Sequence, residues 1–199
     1  RTMADASVAG TGSNMEIVIA GGARTPVGTF AGGLSSVPAS YLGTVAIKEA
    51  MKRAKVEGKD VDEVVLGQIL TAGQGQNPAR QAAVRAGMEW DVGCITVNKV
   101  CGSSLKSVML AAQAIGCGDA DIVVAGGMEN MSMVPYALPS ARWGQRMGDG
   151  QMVDLMVYDG LFEKFYGYHM GITAENIAAK YQITREDQDE IGALSHKRA

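Results

Sequence analysis

Apolar residues along this chain alternate between short β-branched runs and longer stretches with helical spacing. Met15 to Ala20 is a compact apolar run closed by Gly21 and Gly22, and it reads as a buried strand. Tyr41 to Lys55 has helical spacing, with Leu42, Val45, Ala46 and Ala50 on one side and lysines on the other. Val61 to Leu70 holds a second strand centred on Val64, Val65 and Leu66. Asn77 to Ala86 is alanine-rich and helical, and Ile95 to Val100 is a third, β-branched strand. Leu105, Val108, Met109, Ala112 and Ile115 then recur at the spacing of a core-facing helix. Asp121 to Ala125 makes a fourth strand, ended by Gly126 and Gly127. Strand and helix alternate throughout, so the expected class is α/β, a mostly parallel sheet with helices on both faces.

The texture changes after about residue 130. Residues 131–169 carry Pro135, Pro139, several glycines and scattered aromatics with little regular period, and seven of the twelve methionines fall between Met128 and Met170. Long irregular segments often serve as lids or interaction loops, while methionines there read first as adaptable packing. Helical spacing returns over Ile172 to Tyr181. Thr184 then stands as an N-cap with Asp187 three residues on, and the last helix runs from acids at its start to His196, Lys197 and Arg198.

Composition narrows the function. The chain has 199 residues, 47% hydrophobic and 20% charged, enough for one packed core and part of a second lobe. Eighteen basic and 21 acidic side chains give a net charge of −3, which supplies no field for nucleic acid and no polybasic run for a membrane. The three cysteines, Cys94, Cys101 and Cys117, form no Cys-x-x-Cys pair, so neither a disulfide framework nor a metal site is expected, and a reducing cytoplasm fits best. No apolar run is expected to approach the ~18 residues that a membrane span requires. Residues 1–14 are small and polar, without a secretory apolar region, and read as a disordered leader or expression remnant.

The chemistry concentrates where the third strand meets the following helix. Cys101 sits in that junction, followed by the small residues Gly102, Ser103 and Ser104. A cysteine there lies near the unsatisfied N–H groups of a helix start, whose partial positive charge activates sulfur as a nucleophile. Backbone N–H groups of the same turn suit a developing oxyanion, in the manner of a nucleophile elbow. The competing reading is a structural thiol, the usual fate of a free cysteine.

The segment Asn98-Lys99-Val100-Cys101-Gly102-Ser103-Ser104-Leu105-Lys106 resembles the active-site segment of thiolases. Three further segments resemble the family in its own order: Ala23 to Gly28, Gly126 to Ser132, and Tyr168 to Asn176. The resemblance runs from residue 15 to 199 and implies a thiolase-like fold, layered αβαβα in the complete protein. Residues 15–130 would be the N-terminal α/β domain, and residues 131–199 part of the loop domain that binds coenzyme A and builds oligomers. The implied reaction is a reversible Claisen condensation of two acetyl-CoA to acetoacetyl-CoA, through an acetyl group carried on Cys101. It implies no cofactor beyond the coenzyme A thioesters used as substrates, a place in fatty acid metabolism, and a homodimer or homotetramer. His169 would lie by the pantetheine arm and acyl group, in a position where many short-chain biosynthetic members carry histidine, and Met170 would line the same cavity. Glu129 and Asn130 read as structural anchors. Arg142, Arg146 and Lys164 read as solvated surface or as contacts to coenzyme A phosphates.

A complete site of this kind also draws a base and a second oxyanion hole from a C-terminal half: a histidine, an asparagine and a second cysteine in a glycine-rich turn. None of those motifs occurs here, and Cys94 and Cys117 are separated from Cys101 by too much strand and helix to replace them. The expectation is therefore a partner half, in the same or a separate chain. Two alternatives stay open: another condensing enzyme of this fold, of the hydroxymethylglutaryl-CoA synthase or ketoacyl synthase type, or a non-catalytic binding or assembly subunit.

Overall fold

Val64, Val65 and Leu66 are almost wholly buried at the middle of a three-stranded parallel sheet. Its strands are β1 (Glu63–Gly67), β2 (Gly93–Val97) and β3 (Val123–Gly127), in the order β2-β1-β3. Val65 pairs with Ile95 on one side and Ala125 on the other. Parallel neighbours need crossovers, and helices α2 (Pro78–Ala86) and α3 (Ser103–Cys117) supply them. Helix α1 (Ala39–Ala54) precedes the sheet. Val64 and Leu66 join α1 and α2 residues in one apolar cluster, while a side chain at Gly67, two positions from Val65, would run into Ser103 of α3. Successive strand residues point to opposite faces, so α1 and α2 cover one face and α3 the other. This is the expected α/β arrangement, and burial on both faces explains why β1 reads as an unbroken apolar run.

The structure is a computed structural model that describes residues 16–198. They fall into two compact units. The first holds the described residues through Val27, Ala39–Gln68 and Gln76–Met128, and it contains everything above. The expected leader, residues 1–14, lies outside the described residues, as does Met15.

Helix boundaries follow local chemistry. Asn77 caps α2, its Oδ1 accepting the Arg80 N–H at 3.2 Å, with proline at the first helical position. Asn77 also donates from Nδ2 to the Cys94 carbonyl at 2.9 Å, and Thr96 Oγ1 donates to Asn77 Oδ1 at 3.1 Å, tying the cap to β2. Gly87 and Gly118, both at positive φ, end α2 and α3.

Four expectations need correction. Residues 16–20 form no strand, and Val18 and Ile19 are exposed. The following residues are fastened elsewhere: Gly21 lies so close to α1 that a Cβ would be 2.9 Å from the Ala50 carbonyl, and Arg53 Nη1 donates to the Gly22 carbonyl at 2.9 Å. On α1 the buried stripe is Ala39, Ser40, Gly43, Thr44, Ile47 and Met51, and Val45 is exposed. Small residues win this face because α1 packs closely on the alanines of α2; a Cβ on Gly43 would lie 3.3 Å from that of Ala82. On α3 the buried residues are Ser103, Ser107 and Ala111, whereas Leu105, Val108 and Met109 are exposed. Finally, the 18-residue window Val100–Cys117 has a mean hydropathy of 1.2 and does reach the length and apolarity of a membrane-crossing helix. Its small-residue edge packs on the sheet, with Ser107 Oγ donating to the Gly126 carbonyl at 2.8 Å.

The second unit comprises Gly28–Pro38, Ile69–Gly75 and the residues from Glu129 onward. It holds two minimal antiparallel ladders, β4 (Tyr136–Ala137) with β5 (Val153–Asp154) and β6 (Phe162–Glu163) with β7 (Tyr168–His169). Helices α4 (Met170–Tyr181) and α5 (Arg185–Arg198) follow. The expected cap at Thr184 is present: its Oγ1 accepts the Asp187 N–H at 3.1 Å, and Asp187 Oδ2 accepts the Thr184 N–H at 3.0 Å.

Candidate active site

Cys101 occupies the turn between β2 and α3 and is exposed. The turn is wound tightly. The Gly102 N–H donates to the Lys99 carbonyl at 3.0 Å, and the Ser103 N–H to the Val100 carbonyl at 3.1 Å. Asn98 Oδ1 accepts the Val100 N–H at 2.9 Å, a side chain mimicking a turn two residues ahead of itself. Val100 itself has φ of 47°. That left-handed conformation is strained for a β-branched residue, and it stands directly before the nucleophile candidate.

Ser103 braces this geometry from below. It is 4% exposed. Its Oγ accepts the Lys99 N–H at 2.8 Å and donates to the Val100 carbonyl at 2.6 Å. The first turn of α3 rests on glycines at the ends of two strands. A Cβ on Gly67 would lie 2.5 Å from the Ser103 carbonyl carbon, and one on Gly127 would meet Ser104 Oγ and lie 3.0 Å from both the Gly67 carbonyl oxygen and Ser104 Cβ. Only hydrogen-sized side chains at Gly67 and Gly127 let the helix start this near the sheet. The sequence alone did not reveal this support; the glycines that end two strands are its one visible signal.

The other cysteines differ in setting. Cys94 lies on β2, partly buried, with its thiol donating to the Val92 carbonyl at 3.6 Å. Burial pushes the Cys94 thiol up from its ordinary range, against the opposing pull of the Arg80 guanidinium. Cys117 is exposed at the last residue of α3, the far end of the helix from Cys101.

His169 and Met170 belong to the second unit and meet at the start of α4. His169 is the N-cap: its Nδ1 accepts the Gly171 N–H at 3.0 Å. With Nδ1 engaged as an acceptor, the neutral ring carries its proton at Nε2, which is left as its donor, and the residue is exposed. Met170 is 43% exposed. In the same unit Glu129 Oε2 accepts the Ile69 N–H at 2.8 Å and the Leu70 N–H at 3.3 Å. Asn130 is buried, and its Nδ2 donates to the carbonyls of Leu34, Ser35 and Val37 at 3.1, 3.2 and 2.7 Å. Both side chains hold loops together, as structural anchors do. Arg142 and Arg146 are exposed, and Lys164 lies over the ring of Tyr158.

Comparison with known proteins shows the family. The family described as "Thiolase, N-terminal domain" matches residues 17–199. An acetyl-CoA acetyltransferase of Cupriavidus necator is 58% identical over 184 residues, which cover 92% of this chain and 47% of that protein. The acetyl-CoA acetyltransferase of Pseudomonas aeruginosa is 54% identical over 184 residues, 92% of this chain and 47% of that protein. That of Escherichia coli is 55% identical over 183 residues, 92% of this chain and 46% of that protein. The chain thus spans about half the length of these curated relatives. With a match across nearly all its described residues, the chain belongs to the thiolase family, as a thiolase N-terminal domain.

Proposed function

We propose that this chain carries the nucleophile of an acetyl-CoA acetyltransferase, with Cys101 as the acyl-accepting residue. The observation that carries the reading is the exposed Cys101 thiol, set in a strained turn at the start of α3 within the segment that resembles thiolase active sites. The Cys101 sulfur, as thiolate, attacks the carbonyl carbon of acetyl-CoA. The C–S bond to coenzyme A breaks, coenzyme A leaves as its thiolate, and the acetyl group remains on Cys101. The N–H groups of Lys99, Val100, Gly102 and Ser103 are engaged within the turn, so the backbone donor that this turn offers the oxyanion between these events is the N–H of Cys101 itself. A base then takes an α-proton from a second acetyl-CoA, whose carbanion attacks the acetyl carbon. Acetoacetyl-CoA forms and the Cys101 sulfur leaves.

His169 acts in this reading as a donor from Nε2 to the substrate thioester or its pantetheine arm, and Met170 lines the acyl cavity. Neither the base nor the second oxyanion hole is supplied by a motif of this chain, so the reading includes a C-terminal half that completes the site, in the same polypeptide or another. The coverage of the relatives, about half their length, supports that division. A homodimer or homotetramer working in the cytoplasm on coenzyme A thioesters completes the proposal. The name shared by the similar proteins favours a thiolase over other condensing enzymes of the same fold.

The test is thiolytic cleavage of acetoacetyl-CoA by added coenzyme A, followed in the assembled protein with both halves present. Activity that disappears in Cys101→Ala supports the reading. Undiminished cleavage by Cys101→Ala overturns it.

A further inference from the structure

We propose that Ser103 is a positioning residue whose hydroxyl latches the strained Val100 peptide and so fixes Cys101 at the head of α3. The proposal rests on the reading of Cys101 as nucleophile but is tested independently of acyl transfer. Val100 is a valine at φ 47°, a region that L residues with branched side chains avoid. Such a conformation persists only where its surroundings over-determine it. Here the surroundings are specific. Ser103 Oγ takes the Lys99 N–H at 2.8 Å on one side of Val100 and gives its own proton to the Val100 carbonyl at 2.6 Å on the other. One buried hydroxyl therefore ties the Asn98–Lys99 peptide, through its N–H, to the Val100–Cys101 peptide, through its carbonyl, and so spans the strained residue. Asn98 adds a third restraint through the Val100 N–H. Ser103 cannot drift, because its backbone and Cβ sit against the bare face of Gly67. The latch lies two residues beyond Cys101 and touches no reacting atom, so its effect on the sulfur passes through the turn.

The strain argument gives the test its form. Glycine reaches positive φ without penalty, so Val100→Gly removes the need for the latch. Alkylation of Cys101 by iodoacetamide, located by digestion, is measured in the 199-residue chain for the parent, Ser103→Ala, Val100→Gly and the double variant, with thermal unfolding alongside. Ser103→Ala is expected to slow Cys101 alkylation about five-fold, the scale of losing a helix start as neighbour to the sulfur. The same Ser103→Ala change made on top of Val100→Gly is expected to slow it by less than about two-fold, the coupling a double-mutant cycle isolates. If Ser103→Ala alone does not fold, the double variant is expected to fold, since the strain is gone. Three results overturn the proposal: a folded Ser103→Ala that alkylates at the parent rate, an equal slowing by Ser103→Ala in both backgrounds, or a double variant that fails to fold. Failure of acetyl transfer to Cys101 in the unaltered protein, by contrast, counts against the nucleophile reading and leaves the latch standing.

Discussion

Gly67→Ala should damage both the stability of this domain and the reactivity of Cys101, although Gly67 lies on a different element from the nucleophile. Gly67 ends the central strand β1 and is buried. An alanine Cβ there would stand 2.5 Å from the Ser103 carbonyl carbon, 2.6 Å from the Ser104 nitrogen and 2.7 Å from the Ser103 Cβ. Two of those atoms are backbone, so no side-chain rotation relieves the clash. Restoring ordinary contact at 3.4 Å requires the first turn of α3 to retreat by about 0.9 Å. Forcing a methyl into a packed site costs about 1–3 kcal/mol, and the upper half of that range applies where backbone must move. For a chain of this size that corresponds to a fall in Tm of about 4–12 °C. A displacement near 1 Å at a reacting group costs about 100-fold in rate. Thermal unfolding and the rate of Cys101 acetylation by acetyl-CoA measure the two effects. Gly126→Ala is the control, because a Cβ there meets only Leu66 Cδ2, at 3.8 Å. A Gly67→Ala protein that unfolds with the parent and acetylates at the parent rate would refute the reasoning, as would equal damage from Gly126→Ala.

Three further outcomes follow from named contacts. Asn130→Ala leaves the carbonyls of Leu34, Ser35 and Val37 without their shared donor, and a loss of about 1–3 kcal/mol is expected, seen first as faster amide exchange over residues 28–38. Asp62 Oδ2 accepts the Ile122 and Asp121 N–H groups, which hold its carboxyl below the usual carboxylate range. A lowered folded-state value means that its contribution is fully present above the unfolded value near ~4 and is lost as pH falls through the folded one, so Asp62→Asn should flatten the acid limb of a stability–pH curve measured by urea unfolding. Burial raises the Cys94 thiol, so a maleimide at neutral pH should label Cys101 and Cys117 well before Cys94, as peptide mapping would read.

Much of the first unit was legible because its signals are local. The β-branched cores of β1, β2 and β3 lie within the expected runs, and the cap at Thr184 stands where its side chain announces it. Helix faces were less legible, for a shared reason. Periodicity selects large apolar residues, but the closest contacts of α1 and α3 are made by small ones, Gly43 against Ala82 and Ser103 against Gly67, with Ile47 and Met51 the only large apolar residues buried on α1. Where two surfaces meet at close range, backbone approach decides the face rather than side-chain size. Leu105, Val108 and Met109 are left exposed on α3 by that choice. The residues at 16–20 have strand character without a ladder, because pairing is a tertiary property that β propensity alone does not supply. At the site, the position of Cys101 at a helix start was readable from the pattern around it. The left-handed Val100 and the Ser103 bridge were not, since no residue type announces a strained valine.

The central claim is that Cys101 accepts an acetyl group, and the most direct measurement is the intact mass of the protein after brief exposure to acetyl-CoA, with the adduct located by digestion. The account expects a single acetyl group on the peptide containing Cys101, absent in Cys101→Ala and unchanged in Cys94→Ala. No adduct on Cys101 with a complementary half present, or an acetyl group carried on another residue, would contradict it.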